Sequence, residues 1–526
     1  MSLKLGRRSF LSSLGAAGAG LFSASKLNAL APTASNTGSM SSPGLPLVDG
    51  RSIVPITKGL GSTGNVWAEL GVTPTVNTSG TLTLIGGSVM KPEVMELIRM
   101  GNEHFCVINE LEVQAGKWIA NLCKAPAGMT ALVTEGDGAA LLVAYAGMMT
   151  EDYSERLLNI PDLRGFPKTE VIIQEGHRDP FDHQIRQTGA KLVVVETREE
   201  MIAAINPRTV AIHFLNIQSN RGQVNAQDTV AIAKQHGVYA FLDASADVPP
   251  KERLWEFPAL GFDMTGFSGG KDICGPQATG FLIGQEKLLH YALLNMSPQA
   301  DRIGRPCKVS KESLFGLLKA LELFVNQDYN ETLRKYDEKA ATITNALKKY
   351  GVTMTRTYNA EALGNVSPHY TWTFDPAKVK LTGAEITKQL AETRPVSIGA
   401  TGGAALPGRP EPNWTGPYNA AELGEQLAGI PGAPNTASAR AGAAGAAGGR
   451  GGRGAAAGAA AAGAPGAAPT GGRGGRGAGN SFGFSTWMLK DGEEKYIANR
   501  LVEIFSAAAV PSAFPASRST TAAKKS

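Results

Sequence analysis

The chain has 526 residues, 43% hydrophobic and 18% charged, with a net charge of +5, which allows two to four lobes around a sizeable core. The excess charge is local: Gly432 to Asn480 holds five arginines (Arg440, Arg450, Arg453, Arg473, Arg476) and no acid, so the nearly neutral remainder argues against a nucleic-acid-binding globular surface. Cys106, Cys123, Cys274 and Cys307 lie far apart without a CxxC pair, which argues against a zinc site or a disulfide scaffold and leaves them as buried small hydrophobes.

At the N-terminus, Arg7-Arg8-Ser9-Phe10-Leu11 precedes an uncharged small-residue stretch, Ser12 to Ser25, and then Ala29-Leu30-Ala31. A basic start, a short weakly apolar run and an A-x-A cut site describe an export signal over residues 1–31, and the paired arginines are of the twin-arginine type. The stretch is too short and too rich in glycine to serve as a membrane anchor. The expectation is export to the periplasm or beyond. Residues 32–66, rich in Ser, Pro, Gly and Thr, read as a linker or N-terminal arm.

From Trp67 a regular alternation begins. Helices are predicted over Pro92–His104, with proline in the first turn, and Asn109–Cys123. Strands at Val171–Gln174, Lys191–Glu196, Thr209–Leu215 and Val238–Asp243 alternate with helices at Asp182–Thr188, Arg198–Ile205 and Gln227–Gln235. Continuous apolar strands separated by helices predict an α/β fold with a parallel-rich sheet covered on both faces, whose ligands gather at the carboxyl ends of the strands. Lys311–Asn326 and Tyr329–Tyr350 form a long helical bridge to a smaller α+β lobe with strands at Val352–Thr357, Tyr370–Phe374 and Val396–Gly399 and a helix at Gly383–Glu392. Residues 402–480 are rich in Gly, Ala, Pro and Arg and carry two GGRGGRG copies. Such a segment cannot offset its ordering entropy, so it is expected to be a disordered insertion. A strand-like run at Phe482–Leu489 and a helix at Glu493–Phe505 return the chain to the smaller lobe, and residues 509–526 read as a tail.

The central chemical signal is Phe267-Ser268-Gly269-Gly270-Lys271-Asp272-Ile273-Cys274-Gly275-Pro276-Gln277, after the short run Phe262–Gly266 and before a strand at Thr279–Gly284. Imine chemistry requires a lysine amine in a site where the backbone approaches a flat ring, and glycines permit that approach. A serine three residues earlier can donate to a phosphate. Asp243 ends the strand Val238–Leu242 and therefore sits on the ligand-binding rim. A carboxylate there can keep a pyridine nitrogen protonated, so that the ring accepts electrons from a substrate carbanion.

These residues belong to an ordered series. Val76-Asn77-Thr78-Ser79-Gly80 with Gly86-Gly87-Ser88, Gly176-His177-Arg178-Asp179-Pro180-Phe181-Asp182-His183, Asp243-Ala244-Ser245-Ala246-Asp247-Val248-Pro249-Pro250 with Leu254-Trp255, Ser268 to Gln277, Ile303-Gly304-Arg305 with Lys308-Val309, and Trp487-Met488-Leu489 with Gly492-Glu493-Glu494 follow one another along the chain. The series resembles the SelA-like enzymes dependent on pyridoxal 5′-phosphate (PLP), the group of the L-seryl-tRNA(Sec) selenium transferases and the D-glucosaminate-6-phosphate ammonia-lyases. It covers about residues 67–400 and 481–506.

The resemblance implies a fold type I (aminotransferase-like) architecture, with a PLP-binding large domain at 67–326 and a C-terminal small domain from 327–401 and 481–508. It implies that Lys271 carries PLP as a Schiff base, that Asp243 pairs with the pyridinium nitrogen and that Ser268 binds the phosphate. It places His177 beside the ring or the substrate, and Arg305 and Arg178 at a substrate carboxylate or phosphate. The phosphate loop before the Ala-rich helix is Thr134-Glu135-Gly136-Asp137-Gly138-Ala139-Ala140. Gly136, Asp137 and Gly138 are expected to contact the cofactor through their backbone, although acids at this place would repel a phosphate unless they turn away.

The expected activity is α,β-elimination from a small amino acid or amino-sugar acid, with Lys271 as the base at Cα. The alternatives are transfer of the selenium-transferase type and a non-catalytic exported binding protein. The group also implies a homodimer or larger homo-oligomer. Asp179 and His183, four residues apart, could share a helix face and hold a metal with His177 and Asp182. The resemblance accounts for the same string without one, so no metal is assigned. The GGRGGRG copies resemble RNA-binding RGG segments but lack interleaved aromatics for base stacking, so no nucleic-acid partner is expected.

Overall fold

A seven-stranded sheet organises the first lobe of the protein. The structure, a computed structural model, describes residues 59–72, 74–358, 364–392, 396–397 and 479–510. The export segment, most of the arm, the insertion and most of the C-terminal tail lie outside the described residues.

In chain order, α1 (Val66–Glu69), β1 (Val76–Asn77), α2 (Pro92–Gly101) and α3 (Ile108–Leu122) lead into β2 (Met129–Thr134), α4 (Gly136–Thr150), α5 (Ser154–Asn159) and β3 (Glu170–Gln174). Then follow α6 (Asp182–Gln187), β4 (Lys191–Val195), α7 (Arg198–Ala204), β5 (Thr209–Leu215), α8 (Ala226–His236), β6 (Tyr239–Asp243), α9 (Arg253–Ala259), β7 (Met264–Ser268), β8 (Gly280–Gln285) and α10 (Glu286–Leu294). The sheet order is β2-β8-β7-β6-β5-β3-β4. The strands β4, β3, β5, β6 and β7 run parallel, whereas β8 is antiparallel to both β7 and β2. The expected parallel-rich sheet is thus mixed at one side, because the short Gly-rich return from β7 to β8 is too brief for a crossover helix. Every residue of β3, β5 and β7 is buried, as in a sheet covered on both faces.

α11 (Lys311–Asn326) and α12 (Tyr329–Ala346) connect this lobe to a second one. There β9 (Thr353–Thr357), β10 (His369–Thr373) and β12 (Ser481–Ser485) form an antiparallel sheet in the order β12-β10-β9. α13 (Gly383–Glu392) and α14 (Glu493–Ala507) pack with it, and β11 (Val396–Ser397) pairs in parallel with β1. Trp372, Phe374, Phe482, Phe484 and Phe505 are almost fully buried together here. Burying each such side chain contributes roughly 1.5–3 kcal/mol, which explains how a lobe interrupted by a long insertion closes around one core. Val76, from the start of the described chain, belongs to this second core.

Several boundaries differ from expectation. The helix foreseen over Pro92–His104 ends at Gly101, and the strand foreseen over Phe482–Leu489 stops at Ser485, where Thr486 donates its hydroxyl to the Tyr336 carbonyl instead of continuing the ladder. The run foreseen at Phe262–Gly266 lies two residues later, as β7. Of the four cysteines only Cys123 is buried; Cys106 is exposed and the other two are half-buried. No helix among the described residues is long and apolar enough to cross a membrane.

Candidate active site

Three neighbouring strand ends and one helix start define the site. Lys271 lies in the turn between β7 and β8. Gly269 N–H donates to the Thr279 carbonyl (2.8 Å) and Cys274 N–H to the Lys271 carbonyl (2.9 Å). The turn folds closely on itself: a Cβ on Gly270 would stand 2.3 Å from the Gln277 carbonyl oxygen, and one on Gly269 2.5 Å from Thr279 Oγ1. The glycines here serve close packing. From the first lobe's N-terminal segment, Ser88 Oγ donates to the Gly270 carbonyl (3.0 Å) and Gln277 Nε2 to the Thr83 carbonyl (3.0 Å). The motif around Gly86-Gly87-Ser88 therefore braces the lysine turn.

Asp243, the last residue of β6, is buried and lies opposite Gly266 of β7; its Oδ1 accepts from Ser245 N–H (3.0 Å). Ser268, the last residue of β7, lies opposite Gly280 of β8. A Cβ on Gly280 would stand 2.7 Å from Asp137 N, so the first turn of α4 packs directly beside the Ser268 pair. The predicted phosphate loop is thus mostly the first turn of α4: Gly136 opens it with φ +81°, and Glu135 at the N-cap makes no side-chain capping bond. The opening N–H groups of a helix have no partner within it, and the helix dipole favours an anion there.

Asp137 turns its carboxyl inward. Its Oδ1 is buried without a hydrogen-bond partner and lies 2.8 Å from the position a Cβ would take on Gly266. Burial first, and then the Asp243 charge, push this carboxyl well above the usual carboxylate range, while Lys271 opposes the shift. The inward turn of Oδ1 and the raised proton affinity of the carboxyl both lessen the anticipated conflict between acid and phosphate. Two further acids share this field. Asp179 is raised to about 7 by burial and the charge of Asp243, and Asp247 to about 6, chiefly by burial. Asp247 accepts from Asn216 Nδ2 (2.7 Å) and Gly364 N–H (3.1 Å).

His177, in the short 3-10 turn after β3, is fully buried against the end of β5, edge-on to Phe214, with Nδ1 accepting from Leu215 N–H (3.3 Å). Burial, then the charge of His213, lowers it to about 3, so it is neutral at ordinary pH. A Cβ on Gly222 would stand 2.6 Å from its Nε2, which is buried without a hydrogen-bond partner among the described residues. Arg178 is engaged in an ion pair with the buried Asp182, which also pairs with Arg186. Arg305 is exposed and lines a shallow pocket of about 450 Å³ with Leu157, Ile160 and Arg302. The shared helix face foreseen for Asp179 and His183 is not formed. α6 begins only at Asp182, Asp179 accepts from the N–H groups of Phe181 and Asp182, and the exposed His183 bonds Arg186.

Sequence reasoning missed two groups. His213 on β5 bonds Tyr145 Oη through Nδ1 (2.8 Å), stacks on Phe241 and feels the Asp243 charge; a histidine within an apolar strand carries no local signal. Asp272, next to Lys271, accepts from Ser367 Oγ (3.0 Å) and Asn365 Nδ2 (3.2 Å) of the second lobe and is raised to about 7, mainly by burial. It lines a cavity of about 250 Å³ with Lys91, Tyr329, Tyr336, Ser367 and Trp487. Its adjacency to Lys271 was the available signal.

Comparison with known proteins gives a concordant answer. The family model described as aminotransferase class-V matches residues 178–381. The D-glucosaminate-6-phosphate ammonia lyase of Salmonella typhimurium (strain 14028s / SGSC 2262) is 28% identical over 271 residues, 49% of this chain and 70% of that protein. The 5′-C-glycyluridine monooxygenase-decarboxylase of a Streptomyces species is 25% identical over 337 residues, 62% of this chain and 81% of its own. Among solved structures, one of D-glucosaminate-6-phosphate ammonia-lyase superposes with a TM-score of 0.60 at 20% identity, covering 84% of this chain and 99% of the other, which shows the shared fold. Fold, family match and relatives together make this chain an enzyme of the PLP-dependent fold type I class, in the group to which the ammonia-lyase belongs.

Proposed function

We propose that the protein is a PLP-dependent lyase that performs α,β-elimination on a small amino acid or amino-sugar acid. The observation that carries this reading is the convergence of Lys271, the buried carboxylate of Asp243 and the uncapped start of α4 on adjoining element ends. These residues fit the cofactor: first-turn N–H groups of α4 and Ser268 suit its phosphate, Asp243 its ring nitrogen and Lys271 its carbonyl carbon. When bound, the cofactor supplies an electron sink for charge developing at the substrate Cα. Asp243 maintains that sink by holding a proton on the ring nitrogen. Lys271 would take the Cα proton and give it to the departing β-substituent, and water would hydrolyse the released enamine product to a keto acid and ammonia. The cavity beside Asp272, lined by Lys91, Tyr329, Tyr336 and Ser367, offers a polar wall for a small amino compound.

A homodimer or larger homo-oligomer is part of the same proposal. Leu84, Val89, Met95, Met100, Phe105 and Val107 are all exposed within one stretch of chain, an apolar content suited to a second copy. Export by the twin-arginine route, proposed from Arg7-Arg8, would favour a diffusible amino substrate over an aminoacyl-tRNA. The deciding experiment treats purified protein with borohydride in the presence of PLP, then screens amino acids and amino-sugar acids for release of ammonia with a keto acid. A pyridoxyl group on Lys271 with ammonia release is expected; label on another lysine, or amino-group transfer without ammonia, overturns the reading.

A further inference from the structure

Asp137 is the residue that the expected pattern of a phosphate loop least explains. It occupies the first turn of α4, where an acid opposes a bound phosphate, yet its Oδ1 is buried although the residue as a whole is half-buried. Oδ1 lies against Gly266, the residue paired with Asp243 on the adjacent strand, where a Cβ would stand 2.8 Å from it and force one of the two to shift. Glycine at 266 is therefore matched to the Asp137 carboxyl.

The groups that face Asp137 come from several elements. Asp243 ends β6, Asp247 follows it, Asp179 precedes α6, and Lys271 lies in the turn after β7; Glu135 adjoins it at the N-cap of α4, and Gln184 of α6 approaches Gly138. Three carboxyl groups and one cation act on a buried oxygen without a partner. An ionised Asp137 would hold charge on a buried Oδ1 that has no hydrogen-bond partner, with three acids and only Lys271 acting on it, whereas the neutral acid carries an O–H donor and no charge.

We propose that Asp137 is a positioning acid of the cofactor pocket, kept protonated beside Asp243, and that binding of the phosphorylated cofactor is linked to retention of this proton. The proposal rests on the reading of the pocket as a PLP site. A phosphate brings about −1.5 to −2 charges, so its arrival at the start of α4 disfavours a second anion at residue 137. Conversely, loss of the Asp137 proton to solvent as pH rises weakens the hold on the phosphate. Phosphate-free pyridoxal carries no such charge and is largely exempt.

The test measures dissociation constants of the full-length protein for PLP and for pyridoxal, from about pH 6.5 to about pH 9.5, in wild type and Asp137→Asn. In wild type, PLP affinity is expected to fall with pH by up to about tenfold per unit beyond the transition, relative to the variant, with little relative change for pyridoxal. Parallel wild-type and variant profiles for PLP overturn the proposal while leaving the cofactor reading intact; failure of wild type to bind PLP at any pH overturns both. Should Asp137→Asn not fold, calorimetry of wild type in two buffers of different ionisation enthalpy carries the test. At about pH 9, proton uptake greater for PLP than for pyridoxal is expected; equal uptake overturns the linkage.

Discussion

Asp137 Oδ1 lies 2.8 Å from the point where a Cβ would stand on Gly266, so a helix N-terminus and the strand beside Asp243 meet through one carboxyl and one missing side chain. Gly266→Ala therefore forces the carboxyl, the first turn of α4 or β7 to move. Overpacking of this kind costs roughly 1–3 kcal/mol. Urea denaturation should show that loss, together with weaker PLP binding; unchanged stability and affinity would mean that the contact relaxes freely.

Lys271 and Asp243 should separate in their defects. Lys271→Ala is expected to abolish the borohydride-fixed pyridoxyl peptide. Asp243→Ala should retain it while losing roughly 100-fold in kcat, about 2.7 kcal/mol in the barrier, because the ring nitrogen is no longer held protonated. Peptide mapping and steady-state assay of the two variants side by side check this, and full turnover in Asp243→Ala would contradict its role.

Glu112 offers a pH test remote from the site. It is fully buried on α3, and burial raises it to about 8 against the smaller opposing effect of the Val133 backbone N–H. The folded protein thus holds this proton to a higher pH than the unfolded chain, whose glutamate titrates near 4.3. Stability is therefore expected to decline between about pH 4.3 and about pH 8, by a few kcal/mol from this group. Glu112→Gln should flatten that part of the curve of unfolding free energy against pH. A wild-type curve parallel to that of Glu112→Gln would show the carboxyl to be ionised in the fold.

Residues 432–480 contain no acid and five arginines among mostly Gly, Ala and Pro, a composition with little side-chain surface to bury. Replacing them with a short Gly/Ser linker is expected to leave the melting temperature and PLP binding unchanged. A large fall in either would show that this segment packs on the enzyme.

Export is tested by fractionating cells that express wild type or Arg7→Lys/Arg8→Lys. Cleavage after Ala31 and periplasmic recovery of wild type, with retention of the variant in the cytoplasm, is the expected outcome. Cytoplasmic, uncut protein in both cases refutes it.

The alternation of apolar runs and amphipathic helices was sufficient to read the α/β class, because buried strands and half-buried helices impose different spacings on apolar side chains. The same reading put Asp243 at a strand end and Lys271 in a Gly-rich turn, since both features are written within a few consecutive residues. What only the tertiary structure decided are relationships across distant segments. β8 reverses direction, Ser88 braces Gly270, and Asp272 reaches Ser367 and Asn365. Arg305 is exposed, and Arg178 is paired with Asp182. The inward Oδ1 of Asp137 belongs with these: it lies against Gly266, and its raised proton affinity follows from burial and the charge of Asp243, both residues being more than a hundred positions away. A sequence specifies side-chain chemistry locally, whereas burial and the sum of nearby charges, which set protonation, exist only once the strands are side by side.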